Sequence, residues 1–110
     1  VHCNSTDKTD PSIRGTETWA YSPQCKGAQL AACIQKQLIS SIDTVDRGVR
    51  YNTDCGESWA VLAEVNCPSC LVETAFITSD YDVKLLTEEV DEFARAIARG
   101  VTDYFQEVKR

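Results

Sequence analysis

Methionine is absent from this 110-residue sequence, and histidine occurs only once. Because there is no initiator Met, we expect a processed chain or an excised fragment. No apolar run approaches the roughly 18 residues of a transmembrane helix, so no membrane span is predicted. The first ten residues, VHCNSTDKTD, are polar almost throughout, and we expect no signal peptide there.

The signatures of several enzyme classes are missing too. The sequence has no Gly-rich phosphate loop, no Gly-x-Ser-x-Gly elbow and no His-Glu-x-x-His motif. A Ser-His-Asp mechanism would have to use His2, and no nucleophile is indicated for it. A net charge of −6 would repel a phosphate backbone, so no nucleic-acid partner is predicted.

The patterns that are present predict one α/β domain with a mixed sheet flanked by helices. Apolar spacings of three and four predict helices over residues 26–42 and 90–108. Thr78, Ser79 or Asp80 is expected to cap a short helix, and Thr87 to begin another. Strands are predicted at residues 16–22, 48–51, 58–65 and 70–77, and the end of a strand at residues 1–4.

Cysteine is plentiful, with six residues: Cys3, Cys25, Cys33, Cys55, Cys67 and Cys70. Three interpretations remain open: ordinary free thiols, at least one disulfide, or a structural zinc site. The Cys67-Pro68-Ser69-Cys70 motif alone is weak support for zinc, because a structural site needs four ligands. A thioredoxin-like role would place the motif at a helix start, whereas here it leads into a predicted strand.

Glu73 is the most informative single residue, because it interrupts the apolar run of Leu71, Val72, Ala75, Phe76 and Ile77. A buried carboxylate is costly unless it is paired, hydrogen-bonded, protonated or bound to a metal. Glu73 therefore either points away from the apolar face or is held in place for chemistry. His2 lies at a strand end, where α/β sheets usually carry their sites. The two residues form a candidate pair.

Five segments occur in a familiar order: VHCNS, GTETWAY, TVDRGVRY, CPSCLVETAFITSDYDVKLL and ARGVTDYF. Together they resemble the later part of the zinc-dependent N-acetylmuramoyl-L-alanine amidases, which cut peptidoglycan. The resemblance covers nearly all of the chain. It implies that residues 1–110 are the carboxyl-terminal part of a single amidase catalytic domain, with a twisted sheet that is surrounded by helices and lacks its first strands.

The resemblance also implies roles for individual residues. His2 matches the last zinc ligand of the family, and Glu73 matches its catalytic Glu. Two departures are mild, with Ala75 in place of a Gly and Ser79 in place of an Asn. The family's first ligand His and its ligand Glu have no counterpart here, and we expect them to precede Val1 in a missing amino-terminal half.

The implied function is hydrolysis of the amide bond between N-acetylmuramic acid and L-alanine by zinc-activated water. Peptidoglycan would be the substrate, and the expected location is secreted or in the cell wall, or cytoplasmic before release for a phage endolysin. Two alternatives are a catalytically silent fragment and a small secreted binding module stapled by disulfides.

Overall fold

A four-stranded sheet forms the centre of the fold, and two long helices pack against one of its faces. The computed structural model describes residues 1–109. The strands are β1 (His2–Asn4), β2 (Thr16–Ala20), β3 (Asp46–Tyr51) and β4 (Leu71–Phe76). The α-helices are α1 (Lys26–Ser41), α2 (Ala60–Ala63), α3 (Asp80–Glu88) and α4 (Val90–Val108), and a 3₁₀ turn covers Asn52–Asp54.

The strand order is β1-β4-β2-β3. The β1–β4 and β2–β3 pairs are parallel, whereas β4 and β2 are antiparallel, so the predicted mixed sheet is confirmed. The apolar strand β4 lies inside the sheet, as its composition predicts. Two hydrogen bonds help to hold β1 against β4. The Thr74 hydroxyl donates to the His2 carbonyl at 3.0 Å, and the Ile77 N–H donates to the Asn4 carbonyl at 2.8 Å.

The core lies between the sheet and the helix pair α1–α4. Its central members are Ile34, Leu38, Ile42, Val72, Phe93 and Ala96. The face predicted for α1 is the one that is buried. Helix α4 buries a narrower line than its apolar stripe predicts, because Val90, Phe105 and Val108 are exposed. The small residues of that line let the two helix backbones approach closely.

Residues 58–65, predicted to be a strand, are not one. Residues Ala60–Ala63 form the short helix α2, which begins after Trp59. The Asn52 side-chain oxygen accepts a hydrogen bond from the Trp59 N–H at 2.8 Å and holds this turn in place. The valines at positions 61 and 65, which a strand would bury, are exposed.

Helix boundaries near residue 88 also differ from the prediction. Helix α3 continues to Glu88, and α4 begins at Val90 rather than at Thr87. The predicted capping at the start of α3 is confirmed at one of its three candidates, because the Ser79 side chain accepts a hydrogen bond from the Asp82 N–H. No helix in residues 1–109 is long and apolar enough to cross a membrane.

All six cysteines are free thiols. The disulfide interpretation is therefore wrong, and with it the alternative of a disulfide-stapled module. Burial raises the pKa of the Cys70 thiol to about 11, which disfavours the thiolate that zinc or redox chemistry needs. Within residues 1–109, no three or more His, Cys, Asp or Glu side chains are grouped so that they could hold a metal ion.

Candidate active site

The two candidate residues lie side by side in the sheet. His2 on β1 is the register partner of Glu73 on β4. Residues directly opposite each other on neighbouring strands project from the same face of a sheet. The sheet therefore brings together the pair that the sequence singles out. His2 lies on the exposed edge strand, and Glu73 lies on an interior strand.

A third polar residue extends this pair. Glu17 on β2 is the register partner of Glu73 on the other side of β4. His2, Glu73 and Glu17 thus form a row across three adjacent strands, which we call the polar row. The sequence analysis missed Glu17, because its neighbours Thr16 and Thr18 are polar and do not indicate a buried strand.

Glu17 is the most buried member of the polar row, with 3 % of its surface exposed. Its Oε1 atom accepts a hydrogen bond from the Arg47 Nε at 2.6 Å, and its Oε2 atom accepts one from the Trp19 Nε1 at 2.5 Å. The Arg50 Nε lies 3.7 Å from the same Oε1 atom. A buried charge must be paired and hydrogen-bonded, and the two guanidinium groups beside Glu17 provide this pairing.

Glu73 is half-buried and has a different environment. Its Oε2 atom is buried and has no hydrogen-bond partner among residues 1–109. Burial raises the pKa of the Glu73 carboxyl. His2 and the Val1 amine lower this pKa and Glu17 raises it, and the net shift is upward. A carboxylate with an uncommitted oxygen and a raised pKa is well suited to accept and return a proton.

The polar row fits one side of a metal site. His2 offers an exposed imidazole next to the unpartnered Glu73 oxygen, and nitrogen and oxygen donors both suit zinc. A catalytic zinc site takes three protein ligands and leaves one position open. The part of the chain that the structure describes holds no such set of three, so it does not form a complete site by itself.

Comparison with known proteins identifies the family. The family N-acetylmuramoyl-L-alanine amidase (Amidase_3) matches residues 1–103. Among curated proteins, the chain is 35 % identical to N-acetylmuramoyl-L-alanine amidase LytC of Bacillus subtilis (strain 168) over 111 aligned positions, which cover 96 % of this chain and 21 % of LytC.

Solved structures agree. The chain superposes on N-acetylmuramoyl-L-alanine amidase AmiC2 of Nostoc punctiforme with a TM-score of 0.81 and 32 % identity, covering 94 % of this chain and 54 % of that one. The CwlD amidase of Clostridioides difficile, solved in complex with the GerS lipoprotein, gives a TM-score of 0.81 and 27 % identity, covering 94 % and 51 %.

The chain thus spans about half of these solved amidases and about a fifth of LytC. The family match over residues 1–103 covers the whole sheet, helix α1, most of helix α4 and all three members of the polar row. On this basis, the chain belongs to the N-acetylmuramoyl-L-alanine amidase family.

Proposed function

We propose that this chain supplies two active-site residues, His2 and Glu73, of a peptidoglycan hydrolase. The bond cleaved is the amide between N-acetylmuramic acid and L-alanine. Support comes from the family match over residues 1–103 and from the similarity to LytC and AmiC2. Since peptidoglycan lies outside the cytoplasmic membrane, the proposed site of action is the cell wall.

The observation that carries the proposal is the unpartnered Glu73 oxygen beside His2. We assign Glu73 as the general base that takes a proton from the attacking water and returns it to the leaving amine. Such a group works best when its pKa lies near the working pH, which for a Glu means a pKa above the ordinary value. Burial shifts the Glu73 pKa in that direction.

Zinc is the proposed cofactor, and His2 is the one ligand that we assign to it in this chain. When bound, zinc would lower the pKa of the water and polarise the scissile carbonyl. We propose that the remaining ligands come from the half of the domain that the chain does not span in its relatives. In that case the 110 residues are catalytically silent by themselves and act only together with that other half of the domain.

The test is Glu73→Gln in the complete catalytic domain. Gln keeps the size of the side chain but cannot accept the proton, so kcat should fall by roughly a hundred- to ten-thousandfold. Bound zinc should be unchanged, because Glu73 is not assigned as a ligand. Release of muropeptides, zinc content and thermal unfolding are to be measured on the same preparation.

Glu64→Gln is the matched control, since Glu64 is exposed and lies outside the polar row. It should leave all three measurements unchanged. Retention of full turnover by Glu73→Gln would remove Glu73 from the chemistry. Loss of zinc together with activity would make Glu73 a ligand instead of a base.

A further inference from the structure

An open groove of about 460 Å³ begins at the Glu17 end of the polar row. It lies at the carboxyl ends of β1 and β4, the side of an α/β sheet where ligands usually bind. Its charged lining consists of three cations, Lys8, Arg47 and Arg50, and one carboxylate, Glu17. In a chain with a net charge of −6, this is a local reversal of sign.

Glu17 holds the two arginines in a defined way. Both guanidinium groups face its Oε1 atom through Nε, Arg47 at 2.6 Å and Arg50 at 3.7 Å. The terminal amino groups of the two arginines have no hydrogen-bond partner among residues 1–109. Their N–H donors are therefore available to a ligand. The Arg47 guanidinium also lies 5.0 Å from the centroid of the Phe76 ring, which restrains it further.

This arrangement is suited to a carboxylate. A guanidinium group presents its donors in a planar fork that matches the two oxygens of a carboxylate. Because Glu17 is buried and the arginine side chains are 27 % and 45 % exposed, their free ends are the parts that a ligand can reach. The Trp19 ring lines the same groove and provides an apolar wall beside them.

We propose that this groove binds the peptide side of the substrate, with Arg47 and Arg50 receiving a carboxylate of that peptide. The inference rests on the proposed function, in which the leaving group is a peptide amine. A peptide joined through its amine carries its carboxylates on the far side of the scissile bond. Glu17 belongs to both the polar row and the groove, so a peptide cut at the row would extend toward the arginines.

The experiment measures peptide binding by the 110-residue chain. The probes are the dipeptide Ala-Glu and its counterpart Ala-Gln-amide, in which both carboxylates are replaced by amides. Binding is followed by tryptophan fluorescence and by NMR shifts of the backbone amides. Ala-Glu should bind more tightly by roughly three- to tenfold, since partly exposed charge-assisted contacts are modest in strength. Added salt should reduce the difference.

Arg50→Gln should abolish most of this preference without unfolding the chain, because Arg50 is the more exposed of the two arginines. Arg95→Gln is the matched control: Arg95 is exposed on α4 and pairs with Glu92 outside the groove. It should bind both dipeptides as the parent chain does. Thermal melts of both variants establish that they are folded.

Equal binding of the two dipeptides by the parent chain, or an unchanged preference in Arg50→Gln, would overturn the groove assignment. Either result leaves the amidase proposal intact, because neither dipeptide contains the scissile bond. Conversely, a preference that depends on Arg50 upholds the groove even if Glu73→Gln in the complete domain shows full turnover.

Discussion

At the scale of single residues, ionisation of Glu73 is less favourable in the folded chain than in the unfolded chain. Its folded-state pKa is raised, chiefly by burial, from the ordinary value of 4.5. Between those two values the folded state keeps a proton that the unfolded state has lost. The free energy of unfolding therefore falls as the pH rises from the ordinary value through the raised one.

Glu73→Gln removes this dependence, because the amide does not ionise. In the 110-residue chain we expect the variant to be more stable than the parent at pH 7, with the difference disappearing below about pH 4. Urea unfolding between pH 3 and pH 8 measures it. Glu64→Gln should follow the parent at every pH, and a Glu73→Gln variant less stable than the parent at pH 7 would show that the carboxylate stabilises the fold.

Glu73 could be found from the sequence, whereas Glu17 could not. The residues around Glu73 are apolar, so its burial follows from its neighbours. Glu17 lies between Thr16 and Thr18, which look like surface residues but are fully buried. They are satisfied by distant partners: the Thr16 hydroxyl donates to the Thr74 carbonyl, and the Thr18 hydroxyl donates to the Gln35 side chain. Local patterns contain no information about such contacts.

At the scale of helices and strands, the α1–α4 packing depends on Gly100. A Cβ atom at this position would lie 2.5 Å from the Ile34 Cα and 2.9 Å from its backbone N. Helix propensity favours Ala over Gly by about 1 kcal/mol, but such an overlap typically costs about 1–3 kcal/mol or more. Gly100→Ala should therefore lower the free energy of unfolding, as measured with urea.

Ala98→Gly is the control for Gly100→Ala, because residue 98 is exposed on the same helix. It should cost about 1 kcal/mol through propensity alone. If Gly100→Ala instead stabilised the chain, the two helices could not approach as closely as the structure places them. Because the propensity gain at position 100 offsets part of the overlap cost, the loss in Gly100→Ala added to the loss in Ala98→Gly measures the overlap itself.

Helices and strands with a long periodic pattern could be predicted, whereas the short helix α2, which depends on particular contacts, could not. Helices α1 and α4 and strand β4 are found where their apolar residues recur. Helix α2 has four residues, and only Leu62 among them is buried. Its conformation depends on Asn52 and on the Trp59 ring, which lies 4.7 Å from that of Trp19. The alternating pattern of residues 58–65 predicts a strand, because a local pattern contains no information about these distant contacts.

At the scale of the whole molecule, the β1 edge adjoins an apolar hollow of about 560 Å³. Residues from β1, α3 and α4 line it, among them Cys3, Leu86, Val90, Phe93 and Ile97. A strand edge beside apolar surface is a site for association. We expect the 110-residue chain to self-associate as its concentration rises, and Val90→Lys to weaken this association.

Sedimentation velocity over a range of concentrations tests this expectation. Val108→Lys is the control, since Val108 is also an exposed valine of α4 but does not line the hollow. It should associate like the parent chain. A parent chain that stays monomeric at every concentration, or a Val108→Lys variant that dissociates as much as Val90→Lys, would show that the hollow is not the contact.

The pairing of β1 with β4 also governs how the molecule assembles. The Thr74 hydroxyl and the His2 carbonyl that it bonds are 72 positions apart in the chain. Closing so large a loop has an entropic cost, and contacts of this range slow folding. During synthesis β1 leaves the ribosome before β4, so the pairing of these two strands forms only after β4 has followed. The polar row, which needs β4 beside both β1 and β2, therefore forms only after more than two thirds of the chain has been made.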